Sequence, residues 1–160
     1  MIGRVGYDVF ADHLKASLAA GGVDVSAVNA AKSQPTGVAL IWVDKAVQNS
    51  IVVASGANFA LAAADVEAMR KVFHGGTLAL FQSETPLDTV AAALALAREE
   101  GLRTMLDPAP AQPLPAELLA RVDILTPNET EALMLLGRPP ARGWRKWGLG
   151  NRWLAFADEL

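Results

Sequence analysis

The sequence contains no cysteine, which excludes disulfides and thiolate metal sites. It has no run of about 18 apolar residues, so no membrane-spanning helix is expected. The first residues, Met1-Ile2-Gly3-Arg4-Val5-Gly6-Tyr7-Asp8, lack the long apolar core of a signal peptide. A basic excess is also missing: 14 Lys and Arg stand against 17 Asp and Glu, for a net charge of −3. That balance gives no footprint for nucleic acid or an anionic membrane. A cytoplasmic location is therefore expected. The two histidines, His13 and His74, are isolated and read as surface or half-buried residues rather than ligands.

What is present is apolar: 52% of the 160 residues are hydrophobic, many of them alanine. That is enough for one domain with a small core. Residues 8–20 read as a helix, because Phe10, Leu14 and Leu18 recur at helical spacing and Gly21-Gly22 follows. Asp8 suits its cap. Val38–Val43 and Ser50–Val53 are β-rich around a polar connection, which predicts a hairpin within about residues 36–54.

From Leu61 onward, helical and short apolar segments alternate. Helices are predicted over 62–73, from Thr85, over 113–121 and over 128–136, with strands at 78–81, 103–106 and 122–125. Thr85-Pro86-Leu87-Asp88 suits a cap, an N1 proline and an acidic N3, and Leu87, Val90, Leu94 and Ala97 mark the buried face that follows. Alternation of this kind predicts βαβ units and a parallel sheet. Residues 138–160 break the rhythm, with Trp144, Trp147, Trp153 and four arginines. They are read as a tail foreign to the fold, a frameshift or truncation product, in preference to a final packed helix.

The order of several segments resembles the ribokinase-like carbohydrate kinases, the pfkB family. These segments are Gly3-Arg4-Val5-Gly6-Tyr7-Asp8-Val9-Phe10, Thr36-Gly37-Val38-Ala39, Gly56-Ala57-Asn58, Glu84-Thr85-Pro86-Leu87-Asp88-Thr89-Val90, Pro108-Ala109-Pro110-Ala111 and Leu125-Thr126-Pro127-Asn128-Glu129-Thr130-Glu131-Ala132. Residues 126–132 are the most specific piece, and the series covers about residues 2–137. The resemblance implies a parallel sheet flanked by helices with a small β-hairpin lid, incomplete at both ends. It implies transfer of the γ-phosphoryl of ATP to a sugar hydroxyl, the 5-hydroxyl for ribose, with Mg²⁺. The lid implies a possible homodimer.

By the same resemblance, Glu84 matches a glutamate that binds sugar hydroxyls; a carboxylate can accept from two of them. Asn128 and Glu131 match an Asn-x-x-Glu motif that organises the ATP phosphates and Mg²⁺, with Glu131 acting on the metal through water. By residue type alone, Asn128 and Glu131 are equally a capping box, and Glu84 is a solvated residue before a helix. No catalytic residue is assigned. The family's Gly-Ala-Gly-Asp motif, whose aspartate is the general base, has no match: Gly148-Leu149-Gly150-Asn151 comes too soon and ends in an amide. The Gly-Gly-Lys-Gly-Ala-Asn sugar segment and the monovalent-cation loop also have no match. An inactive partial kinase is therefore expected. A non-catalytic association fragment and an unstable pseudogene product are the alternatives. Asp107, Ser83 and Lys45-Ala46-Val47 depart from ribokinase habit, so fructose, deoxyribose or a nucleoside such as adenosine stays open.

Overall fold

A computed structural model describes residues 1–45 and 49–138. The hairpin turn at 46–48, and the reading of the tail as foreign from residue 139 on, lie outside the described residues.

The chain opens with β1 (Ile2–Val5), α1 (Val9–Ala20) and β2 (Ala27–Ala30). The two strands pair in parallel, Ile2 opposite Ala27, with α1 as the crossover. Neither strand is foreseen above: each has four residues, and Gly3, Arg4 and Asn29 dilute their apolar signal. Asp8 caps α1 as expected, accepting from the Ala11 amide at 3.1 Å. The Phe10–Leu14–Leu18 stripe does not form a buried seam. Phe10 is 56% exposed and Leu14 42%, and α1 packs through Ala11 on Val5 and Val28.

Asp8 does more than cap. Its carboxylate also accepts from the Thr36 amide and hydroxyl, both at 2.7 Å, and that hydroxyl accepts from the Gly6 amide at 2.9 Å. The knot leaves no space at Gly6, where a Cβ would lie 2.3 Å from the Thr36 nitrogen.

From Thr36 the chain enters the hairpin β3 (Val38–Val43) and β4 (Asn49–Ala54), an antiparallel sheet of its own. Its two roots pack backbone to backbone. The Ala57 amide donates to the Pro35 carbonyl at 2.8 Å, and Gly56 adopts φ 49° with no room for a side chain there. The Thr36–Ala39 and Gly56–Asn58 motifs are thus the two feet of the hairpin. Above them, Leu40, Ile41 and Trp42 are all exposed, on both faces of the ribbon.

The main layer is β5 (Leu78–Gln82), α3 (Leu87–Glu99), β6 (Arg103–Asp107), α4 (Ala116–Leu119), β7 (Ile124–Leu125) and α5 (Glu129–Leu135). The strands are parallel in the order β5-β6-β7, as the alternation predicts. α3 supplies the core. Val90, Leu94 and Ala97 are buried as expected, against Phe81, Leu106, Leu118 and Leu125 at one end and Val66, Phe73 and Leu102 at the other.

β7 is shorter than the strand expected over 122–125, and three helices also depart from expectation. The helix predicted over 62–73 splits at Met69 into α2 (Ala63–Ala68) and a 3-10 turn, Arg70–Val72. The Met69 amide there is shared between the Asp65 and Val66 carbonyls. α3 starts one residue late: Pro86 keeps extended geometry (ψ 134°) and takes the cap position, and Thr85 makes no capping bond. Thr89 anchors the first turn instead, donating to the Leu61 carbonyl at 2.8 Å. α4 begins only after Pro115, because Pro113 and Pro115 hold the segment extended.

Two predictions follow from the knot at Gly6. The Gly6→Ala variant forces an overpacked contact, worth about 1–3 kcal/mol or more, and is expected to lower the urea midpoint markedly; an unchanged midpoint contradicts the contact. The Thr36 hydroxyl, then its amide, hold the Asp8 carboxyl below its ordinary 3.8. A depressed folded pKa means stability that is present above 3.8 and lost as pH falls through the folded value. Urea melts between pH 5 and 2 should show that loss, with a shallower pH slope in Asp8→Asn.

Candidate functional site

In an open parallel sheet the strand carboxyl ends form the binding edge. Glu84 lies two residues beyond β5, Asp107 closes β6, and Asn128 lies three residues beyond β7. All three belong to the same edge of one sheet. β5 and β7 are two strand spacings apart, about 10 Å. Glu84 and Asn128 are exposed there, and Asp107 is half-buried.

Asn128 is the N-cap of α5, and with Glu131 it forms a complete capping box. The Asn128 Oδ1 accepts from the Glu131 amide at 3.0 Å. In return, Glu131 accepts from the Asn128 amide at 2.7 Å and from its Nδ2 at 2.6 Å. The capping reading is therefore correct in geometry, and it bears on the other one. Glu131 is only 5% exposed, with both carboxylate oxygens already engaged. Such a carboxylate fits action on a metal through water better than direct ligation. Among the described residues no group of three or more His, Cys, Asp or Glu gathers as for a metal. Asn128 retains one Nδ2 hydrogen that points to no protein acceptor in the box.

Glu84 is held differently, through the backbone before it. The Ser83 amide donates to the Ala109 carbonyl at 3.0 Å, and the Ser83 carbonyl accepts from Gln112 Nε2 at 3.2 Å. Ser83 is buried and its hydroxyl has no protein partner. Sequence reasoning did not find Gln112; only its position just past Pro108-Ala109-Pro110-Ala111 hinted at it. An open apolar depression of about 350 Å³ lies at the other end of α5, lined by Pro113, Leu114, Met134, Leu135, Gly137 and Arg138, and touches neither Glu84 nor Asn128. Among the described residues no helix is long and apolar enough to cross a membrane.

A parallel α/β layer with a separate hairpin is the architecture that the resemblance above implies. The family model for pfkB carbohydrate kinases matches residues 1–149. The chain is 41% identical over 136 residues to the ribokinase of Haemophilus influenzae, covering 85% of this chain and 44% of that protein. It is 33% identical over 140 residues to a deoxyribokinase of Salmonella typhi, covering 87% and 46%. Among solved structures, Arabidopsis thaliana ribokinase complexed with ribose and ATP superposes with a TM-score of 0.70 at 31% identity, over 86% of this chain and 46% of that one. The chain belongs to the pfkB family of carbohydrate kinases. It spans less than half the length of these relatives.

The capping box makes its own prediction. Asn128→Asp sets a second carboxylate against Glu131, and like charges raise the pKa of the pair. The variant should be less stable than Asn128→Ser at pH 7, and the gap should close as the pH falls through the raised value. Truncation to Ala removes both the cap and the Nδ2 donor to Glu131, and should cost about 1 kcal/mol or more at pH 7. Thermal melts at pH 7 and pH 4 decide this; a pH-independent gap between Asp and Ser contradicts the geometry.

Proposed function

We propose that residues 1–137 are the sugar-binding and phosphate-organising part of an ATP-dependent sugar kinase, with ribose as the first substrate to test. The observation that carries this reading is the shared edge: Glu84 beyond β5 and the Asn128–Glu131 pair beyond β7. Glu84 accepts hydrogen bonds from sugar hydroxyls. Asn128 orients phosphate oxygens, and Glu131 holds water around Mg²⁺ while fixing the Asn128 amide. Mg²⁺ supplies charge neutralisation between the phosphates. The adjacent hairpin covers the sugar.

The sequence has no aspartate matching the family's general base. The 160-residue polypeptide alone is therefore expected to show no ribose-dependent ADP release in a coupled assay. Turnover near 1 s⁻¹ or faster, an ordinary enzyme rate, contradicts this. The positive test is a chimera in which residues 1–137 replace the matching segment of Haemophilus influenzae ribokinase. It should phosphorylate ribose, and Glu84→Ala should raise its ribose KM about 10- to 150-fold, the value of hydrogen bonds to a charged group. A folded but inactive chimera overturns the reading. Deoxyribose, fructose and adenosine in the same assay decide the acceptor.

A second reading, an association module, is favoured by the hairpin. Leu40 is 72% exposed and Trp42 77%, and a lone two-stranded ribbon is marginal in water. Pairing with a second copy covers those faces. Analytical ultracentrifugation should show a dimer or larger species; a clean monomer at micromolar concentration contradicts it.

A further inference from the structure

The carboxylate assigned to the sugar stands on a loop, beyond the end of its strand, and its own side chain is exposed. A binding group must be held closely to be useful, so something must fix the backbone beneath it. α3 does not do so, because it starts only at Leu87 and its first turn bonds back to Leu61. The Ser83 side chain does not either, since its hydroxyl has no protein partner. What holds the segment is the loop after β6. The Ala109 carbonyl accepts from the Ser83 amide, and Gln112 Nε2 donates to the Ser83 carbonyl. That carbonyl shares one planar peptide unit with the Glu84 nitrogen. Fixing it fixes the direction in which the Glu84 Cα leaves the strand.

We propose that Gln112 is a positioning residue for the sugar site: it clamps the Ser83–Glu84 peptide and thereby sets where the Glu84 carboxylate meets the sugar. The inference rests on the sugar-site reading of Glu84 given above. Its chemistry needs a donor of glutamine length. The side chain is half-buried and its amide turns inward to a backbone carbonyl rather than outward to water. The clamp also links two strand ends, since the loop carrying Gln112 follows Asp107 directly. A sugar gripped at Glu84 thus senses the conformation of the β6 loop.

The test uses the full 160-residue chain, with ribose binding read by ligand-observed NMR at millimolar sugar. Gln112→Ala should weaken ribose binding about 3- to 10-fold, the range for one neutral hydrogen bond, in a chain that still melts cooperatively. Gln112→Lys keeps a donor of sufficient reach and should restore most of the affinity. In a Glu84→Ala background, Gln112→Ala should have no further effect, which a merely structural role would not produce. An unchanged affinity in Gln112→Ala, or an equal loss with and without Glu84, overturns the proposal. If the native chain binds no ribose, the same variants are read in the ribokinase chimera, which supplies the sugar segment this sequence lacks; if the chimera binds none either, the sugar-site reading fails, and with it the role of the clamp in binding. Hydrogen exchange then decides the clamp itself. The Ser83 amide should lose protection in Gln112→Ala, and unchanged protection overturns it.

Discussion

One helix, α3, holds the main layer together. Leu94 and Ala97 have no exposed surface, and their neighbours reach every part of the main layer. Phe81 of β5 touches both ends of the buried strip, Leu106 and Leu125 pack at one end, and Ile2 of β1 joins at the other. Burying such side chains contributes about 1.5–3 kcal/mol each. Because the strands are parallel and lie on one helix, their carboxyl ends come to one edge. The positions of Glu84, Asp107 and Asn128 are consequences of that packing.

The same packing explains which elements were legible in the sequence. α3 is long, with apolar residues at 87, 90, 94 and 97, so periodicity and burial agree. β6 and β7 follow from short apolar runs between Gly, Pro and Asp. β1 and β2 could not be read, since four residues with Gly3, Arg4 and Asn29 carry no alternation. α1 shows the opposite case. Its Phe10–Leu14–Leu18 stripe is clear in sequence, and yet Phe10 and Leu14 are exposed in the described chain and Leu18 is half-buried, because periodicity reports an apolar face and not what covers it. At α3 the Thr85 cap was plausible by residue type. The ψ of Pro86, which sequence does not determine, moved the start by one residue.

The site divides the same way. The Asn128–Glu131 pair was legible because both partners lie within one helical turn, and local spacing dictates local bonds. The box engages one Asn128 Nδ2 hydrogen, in the bond to Glu131, and leaves the second outside the ring. The clamp on Ser83 joins residues 29 apart, and the knot at Asp8 joins residues 28 apart. No single-sequence pattern encodes contacts at that separation. They depend on how β5, β6 and the hairpin feet meet in space.

The claim that one sheet edge carries both a sugar site and a phosphate site is tested most directly by a two-step titration of the isotopically labelled chain. Amide spectra are recorded with ribose and then with ATP and Mg²⁺. The account predicts ribose shifts around residues 83–85 and 107–112, and nucleotide shifts around residues 126–131. Shifts confined to the hairpin or to α1 would contradict it.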